Sequence, residues 1–228
     1  MHRHFEQAED ELKNCLLQMG GLVEEMIHLA VQGLVERNEK SLEGVFKNEG
    51  LVNHLHIEVD ERCLRLIALY QPAATDLRFI MAATKINSDL ERIADQAVNI
   101  SETTAKLLSE PQLKRKLLDI PRMAELAKLM VKDSLDAFVK KDVALARAVI
   151  AKDDAEDKLK SEAFHELMQI MQADSSTVQR ALGLILIARN LERIADHATN
   201  IAEDVIFMVL GKDIRHGAER QTPITQAK

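Results

Sequence analysis

Several carboxylates in this chain are spaced as a hard cation would require. Glu91 and Asp95 stand four residues apart, and Glu192 and Asp196 repeat the pair 101 positions later. Residues four apart lie one above the other on a helix face, so each pair presents two carboxylates together. Like charges at this spacing cost a helix roughly 0.2–0.5 kcal/mol per pair. A divalent or trivalent cation shared by two such pairs removes that cost and receives the oxygen ligands it prefers. Asp153 and Asp157 form a third pair, and at the matching place in the first half stand Glu49 and Asn53, one charge poorer. In a chain with 37 Asp and Glu, a solvated acidic face explains any single pair. Recurrence at equivalent places is what raises these pairs above that background.

The recurrence is a tandem duplication. Leu90–Glu102 spells LERIADQAVNISE and Leu191–Glu203 spells LERIADHATNIAE, with ten of thirteen positions identical. Both copies keep an oxygen-rich stripe: Glu91, Asp95, Asn99 and Glu102 in the first, Glu192, Asp196, Asn200 and Glu203 in the second. Asn99 and Asn200 are candidate supporting ligands or hydrogen-bonding groups between helices. Phe79, Ala83, Ile86, Leu90, Ile93, Ala97 and Ile100 recur at helical spacing on the neighbouring face, as in a helix buried on one side. Val45–Asn53 aligns with Val149–Asp157 at an offset of 104, so the first repeat carries three extra residues in its second turn, around Gln71–Ala74. Insertions belong in such turns.

Composition sets the class. The chain of 228 residues has eight Gly, four Pro, one Tyr and no Trp, and the helical period runs through almost every segment. The expected fold is all-α: six long helices in two elongated three-helix bundles, residues 1–110 and 111–211, with a flexible tail over 212–228. Expected helices run from about Phe5 to Arg37, Ser41 to Leu69 and Thr75 to Leu108. In the second repeat they run from about Met123 to Lys140, Asp142 to Gln172 and Ser175 to Leu210. Ser41 and either Thr75 or Asp76 are expected N-caps, and Gly211 a C-cap. Gly20-Gly21 predicts a bend or a close backbone approach in the first helix. A net charge of −7 argues against nucleic-acid binding. The longest apolar run, Ala181–Ala188, falls far short of the ~18 residues of a membrane span, and the N-terminus lacks a signal-peptide core. A cytoplasmic protein without membrane insertion is expected. Cys15 and Cys63, set in apolar patterns, are expected as buried reduced thiols.

Other residues carry weaker chemistry. The duplicated Arg92 and Arg193 are expected in ion pairs across helices, with an oxyanion contact as the alternative. His197 has no counterpart, since Gln96 stands there, and is expected on the surface. Glu25/His28 and Glu162/His165 have the Glu-x-x-His spacing of di-iron carboxylate bundles, but the duplication does not relate them. No phosphate loop or nucleophile set is visible.

Gln71-Pro72 followed by Asp76-Leu77-Arg78, the two LERIAD segments, Asn200 and the closing stretch Gly211–His216 together resemble the PhoU family of phosphate-transport accessory proteins. That resemblance spans essentially the whole chain. It implies two three-helix bundles, a homodimer and no catalytic activity. It also implies multinuclear clusters of iron or zinc, with manganese or magnesium as other candidates, on acid-x-x-x-Asp motifs. By motif position the metal role falls on Glu91, Asp95, Asp153, Asp157, Glu192 and Asp196, and more weakly on Glu49, Asn53, Asn99 and Asn200. The family role is negative regulation of the phosphate-starvation response. It couples the ATPase subunit of a phosphate ABC transporter to a sensor histidine kinase, at the inner face of the membrane that holds both partners. Asp76 and Arg78, in a turn replaced by Thr177-Val178-Gln179 in the second repeat, are candidate partner contacts. A carboxylate-bridged metalloenzyme and an inert helical scaffold are the competing readings.

Overall fold

The computed structural model describes residues 2–113 and 119–214. The described residues form seven α-helices and one 3₁₀ turn, with no strand. In the first repeat α1 spans His2–Glu36, α2 Glu39–Tyr70 and α3 Ala74–Leu108. In the second, α4 spans Asp119–Lys140, α5 Val143–Ile150, α6 Asp153–Ala173 and α7 Val178–Leu210, with the 3₁₀ turn at Ser175–Thr177. The tail expected from 212 onward is described only to Ile214; its remainder lies outside the described residues.

The second helix of repeat two is the main departure from expectation: it comes in two pieces. Neither Gly nor Pro marks the break at Ala151-Lys152. The Lys152 N–H turns back to the Val149 carbonyl, three residues away, and its side chain ion-pairs with Asp133 of α4. The break opens a fresh helix N-terminus, and Asp153, Asp154 and Glu156 fall in its first turn. The partial positive charge there favours carboxylates.

Caps also differ. α2 is capped by Asn38, whose side chain accepts from the Lys40 N–H, rather than by Ser41, which is buried inside the helix. α3 starts at Ala74 with no side-chain cap, so neither Thr75 nor Asp76 plays that part. Gly211 does end α7, with φ +65° and its N–H on the Phe207 carbonyl. Gly20-Gly21 produces an approach rather than an interruption: α1 runs through it, and a Cβ on Gly20 would collide with Leu135 of α4, while Gly21 faces open space.

α1, α2 and α3 pack as one three-helix unit, and α4, α5/α6 and α7 as its counterpart. The units meet chiefly along α3 and α7, with α1 against α4. α3 and α7 are antiparallel, since Arg78 meets Met208, Lys85 meets Asp204, Asp89 meets His197 and Leu107 lies against Gly183. One contiguous apolar core runs through both units, including every residue of the expected α3 seam. Phe79 of α3 stacks on Phe138 of α4 at 5.4 Å between centroids, tying the repeats together. No described helix is long and apolar enough to cross a membrane.

Candidate metal centre

The acidic pairs of repeat two come together. α6 supplies Asp153 at its first position and Asp157 one turn on; α7 supplies Glu192 and Asp196 from its middle. Thr199, also on α7, reaches Asp153 Oδ1 at 3.5 Å. Lys160 Nζ bridges the two helices, donating to Asp157 Oδ1 at 2.8 Å and to Glu192 Oε1 at 2.6 Å.

The electrostatics show that one lysine is too little. Asp153 is held above the usual carboxylate range, first by desolvation and then by the Asp157 charge. Asp196 is raised too, by desolvation and then by Glu192, Asp153 and Asp157. Both shifts have the sign of a carboxylate that pays for losing water and for meeting like charge. Beneath them lies Glu156, with no exposed surface and, among the described residues, no hydrogen-bond partner on either carboxylate oxygen. Desolvation, then the charges of Glu192, Asp153 and Asp157, push its carboxyl up to about 8.

These residues suit a hard cation in chemistry. The donors are carboxylate oxygens, without Cys or imidazole, and two buried oxygens lack a partner among the described residues. Among the described residues, however, no three His, Cys, Asp or Glu side chains already close on one point as a metal site. The Lys160 ammonium stands between Asp157 and Glu192. A cation at this place would have Asp153, Asp157, Glu192 and Asp196 as holders and would take over the charge that Lys160 now balances.

Repeat one is built differently. Glu49 and Glu91 are half-buried, and Asn53, Asp95 and Asn99 are exposed. No side chain of these five makes a hydrogen bond or ion pair among the described residues. In the alignment that pairs Asn53 with Asp157, Val52 takes the place of Glu156 and His56 that of Lys160. Val52 is fully buried, and His56 lies with its Nδ1 3.4 Å from the Asn87 carbonyl of α3 and its Nε2 3.8 Å from Asp60 of its own helix.

Other expected residues take up structural work. His197 is not a surface residue: its Nδ1 lies 2.8 Å from Asp89 Oδ1 across the α3–α7 contact, with both side chains largely buried. Asn200 also donates to Asp89, at 3.5 Å, so it joins helices rather than facing Asp153. Arg92 and Arg193 make no ion pair among the described residues. Both are exposed and line a cleft of about 610 Å³ between the two third helices, with Gln96, Asp196 and Glu203. Arg78 is half-buried and donates to the Met208 carbonyl at 3.2 Å and to Thr75 Oγ1 at 3.2 Å, whereas Asp76 is exposed. The Glu-x-x-His pairs sit on α1 and α6 outside any metal-competent group among the described residues. Both cysteines are free; Cys63 is buried, and Cys15 is half-buried with its thiol 3.8 Å from Glu58.

Sequence reasoning missed Glu156, Lys160 and Asp89. Glu156 had a visible signal, because a charge at a position held by valine in the other repeat is anomalous. Asp89 stands beside the apolar seam of α3 and had none.

Comparison with known proteins covers both repeats. The PhoU domain model matches residues 16–104 and 120–205. A phosphate-specific transport system accessory protein PhoU homolog of Pseudomonas putida is 37% identical over 225 residues, 98% of this chain and 88% of that one. The same-named homolog of Aquifex aeolicus is 42% identical over 212 residues, 93% of this chain and 95% of its own. The crystal structure of PhoU from Pseudomonas aeruginosa superposes with a TM-score of 0.88 at 36% identity, covering 91% of this chain and all of that one. The phosphate transport system regulatory protein PhoU from Streptococcus pneumoniae gives 0.84 at 25% identity, over 92% of this chain and 98% of that one.

Proposed function

Because the chain belongs to the PhoU family, we propose that it is a non-catalytic regulatory adaptor of phosphate homeostasis. In this reading it couples a phosphate ABC transporter to a sensor histidine kinase and damps the phosphate-starvation response while phosphate is plentiful. The match of both repeats to relatives named as accessory proteins of phosphate transport carries the reading. Those names describe accessory and regulatory proteins, which agrees with the expectation that the chain is not an enzyme. The adaptor works by contact, on the cytoplasmic side of the inner membrane, with the transporter's ATPase subunit and the kinase's cytoplasmic region as partners. A rigid body of long helices in two unequal repeats offers each partner a different face.

The metal part of the proposal belongs to repeat two. Asp153, Asp157, Glu192 and Asp196 hold a hard cation, with iron, manganese or magnesium suiting the all-oxygen set better than zinc. The cation supplies positive charge that draws α6 and α7 together. Repeat one, with Asn53 for an acid and no convergence of its side chains, binds more weakly. The metalloenzyme reading gains no support, since the Glu-x-x-His pairs do not converge among the described residues. Crosslinking in phosphate-rich cells should capture the ATPase subunit and the kinase. Capture of neither would overturn the adaptor reading. Sedimentation of the purified chain tests the homodimer, and elemental analysis of the wild type against Asp196→Ala tests the metal.

A further inference from the structure

Glu156 stands out among the described residues. It is completely buried, and neither carboxylate oxygen has a hydrogen-bond partner among the described residues. Buried polar groups are nearly always satisfied, and one left alone costs folding free energy. A hydrophobic residue would avoid that cost, and the first repeat shows it: Val52 occupies the equivalent place, fully buried. The fold therefore accepts valine here, and the second repeat carries an acid instead.

Its surroundings indicate what the acid is for. Positions 153, 156, 157 and 160 follow steps of three and four residues along α6, 153 to 156 or 157 and on to 160, and share one side of it. The charges that bear most on Glu156 are Glu192 of α7 and Asp153 and Asp157 of its own helix, followed by Lys160. The orphaned oxygens thus adjoin the carboxylate cluster, on its core side.

We propose that Glu156 is an inner ligand of a hard divalent cation at repeat two, entering the coordination sphere from the core while Asp153, Asp157, Glu192 and Asp196 close it from outside. Five carboxylates giving one oxygen each would supply five of the six positions around an octahedral cation such as Mn²⁺ or Mg²⁺, with one water completing the set. Cation entry releases Lys160 from Asp157 and Glu192. It also satisfies the two oxygens that no described residue satisfies. Repeat one, with Val52, lacks this inner ligand, so the two repeats differ in depth of site as well as in charge. The inference depends on the metal reading above and adds a ligand to it.

The test uses the full chain, stripped with chelator, in a Glu91→Ala, Asp95→Ala background that silences repeat one. Mn²⁺ is titrated by calorimetry, and the Mn²⁺-induced shift in melting temperature is recorded. Asp196→Ala serves as the control for the site, with Glu156→Val and Glu156→Gln as the tests. We expect one tight site that weakens at least tenfold in both Glu156 variants, with a correspondingly smaller melting shift. Glu156→Val keeps the fold that Val52 already supports, and Glu156→Gln keeps the shape. Mn²⁺ affinity within twofold of the parent in both Glu156 variants, with loss in Asp196→Ala, would overturn the inference and leave the metal reading standing. Absence of Mn²⁺ binding in the parent itself would overturn both.

Discussion

Glu156 in the second repeat and Val52 in the first occupy equivalent places in the duplicated fold, both without exposed surface, one an acid with no hydrogen-bond partner among the described residues and the other a simple core residue. A duplication supplies its own control here. The site that differs between repeats is the one where charge has been placed against the core.

Replacing Glu156 by valine should stabilise the cation-free protein. The folded-state value is about 8, against 4.5 for an ordinary glutamate, so the folded state holds a proton that the unfolded state gives up. Stability from this group therefore falls as pH rises from about 4.5 to about 8 and is flat outside that window. At pH 7 the penalty is on the order of 3 kcal/mol. Melting curves in chelator should show Glu156→Val above the wild type at pH 7 to 8, with the gap narrowing toward pH 4.5 as the ionisation penalty disappears. A gap that does not vary with pH would contradict the buried-acid account.

Lys160 should matter in opposite directions with and without a cation. Its ion pairs to Asp157 and Glu192 are partly exposed, so Lys160→Met should cost about 1 kcal/mol in chelator, or roughly 2–4 °C in melting temperature. The same variant should bind Mn²⁺ more tightly, because the competing ammonium is gone. Weaker Mn²⁺ binding would make Lys160 a support of the site instead of its occupant.

The two adjacent glycines of α1 should respond differently. Gly20→Val forces a side chain into Leu135 and should destabilise by about 1–3 kcal/mol. Gly21→Ala meets open space and should stabilise by up to ~1 kcal/mol through helix propensity. Chemical denaturation of the two variants separates these outcomes, and equal effects would refute the assigned close approach.

Arg78 is tied to the end of α7 through the Met208 carbonyl, so Arg78→Ala should cost about 1 kcal/mol. Arg78→Glu should cost more, because it sets a negative charge at the carbonyl end of that helix. A partner contact at this turn is better sought at exposed Asp76. Asp76→Arg should leave the melting temperature nearly unchanged, and loss of partner capture in that variant alone would assign the turn to recognition.

Periodicity made the helices legible. The three-four spacing of Leu12, Leu16, Met19, Val23, Met26, Ala30 and Leu34 puts them on one face of α1, and all are fully buried except Leu34, which is half-buried. The LERIAD repeat likewise marked the stretches through which α3 and α7 pack together. The break between α5 and α6 was not legible, because it arises from backbone bonds at Ala151-Lys152 and the tertiary pair with Asp133, neither of which leaves a turn residue behind. Lys160 was missed for a similar reason: Glu192 is 32 positions away, and only packing of α6 on α7 brings them together. His197 was misplaced because its partner, Asp89, lies in the other repeat.

The central claim, that this chain restrains the phosphate-starvation response through its partners, is tested most directly by promoter activity. A reporter on a phosphate-starvation promoter should be active in phosphate-rich medium when the gene for this chain is deleted, and the intact chain supplied in trans should restore repression. Continued repression in the deletion strain would contradict the account.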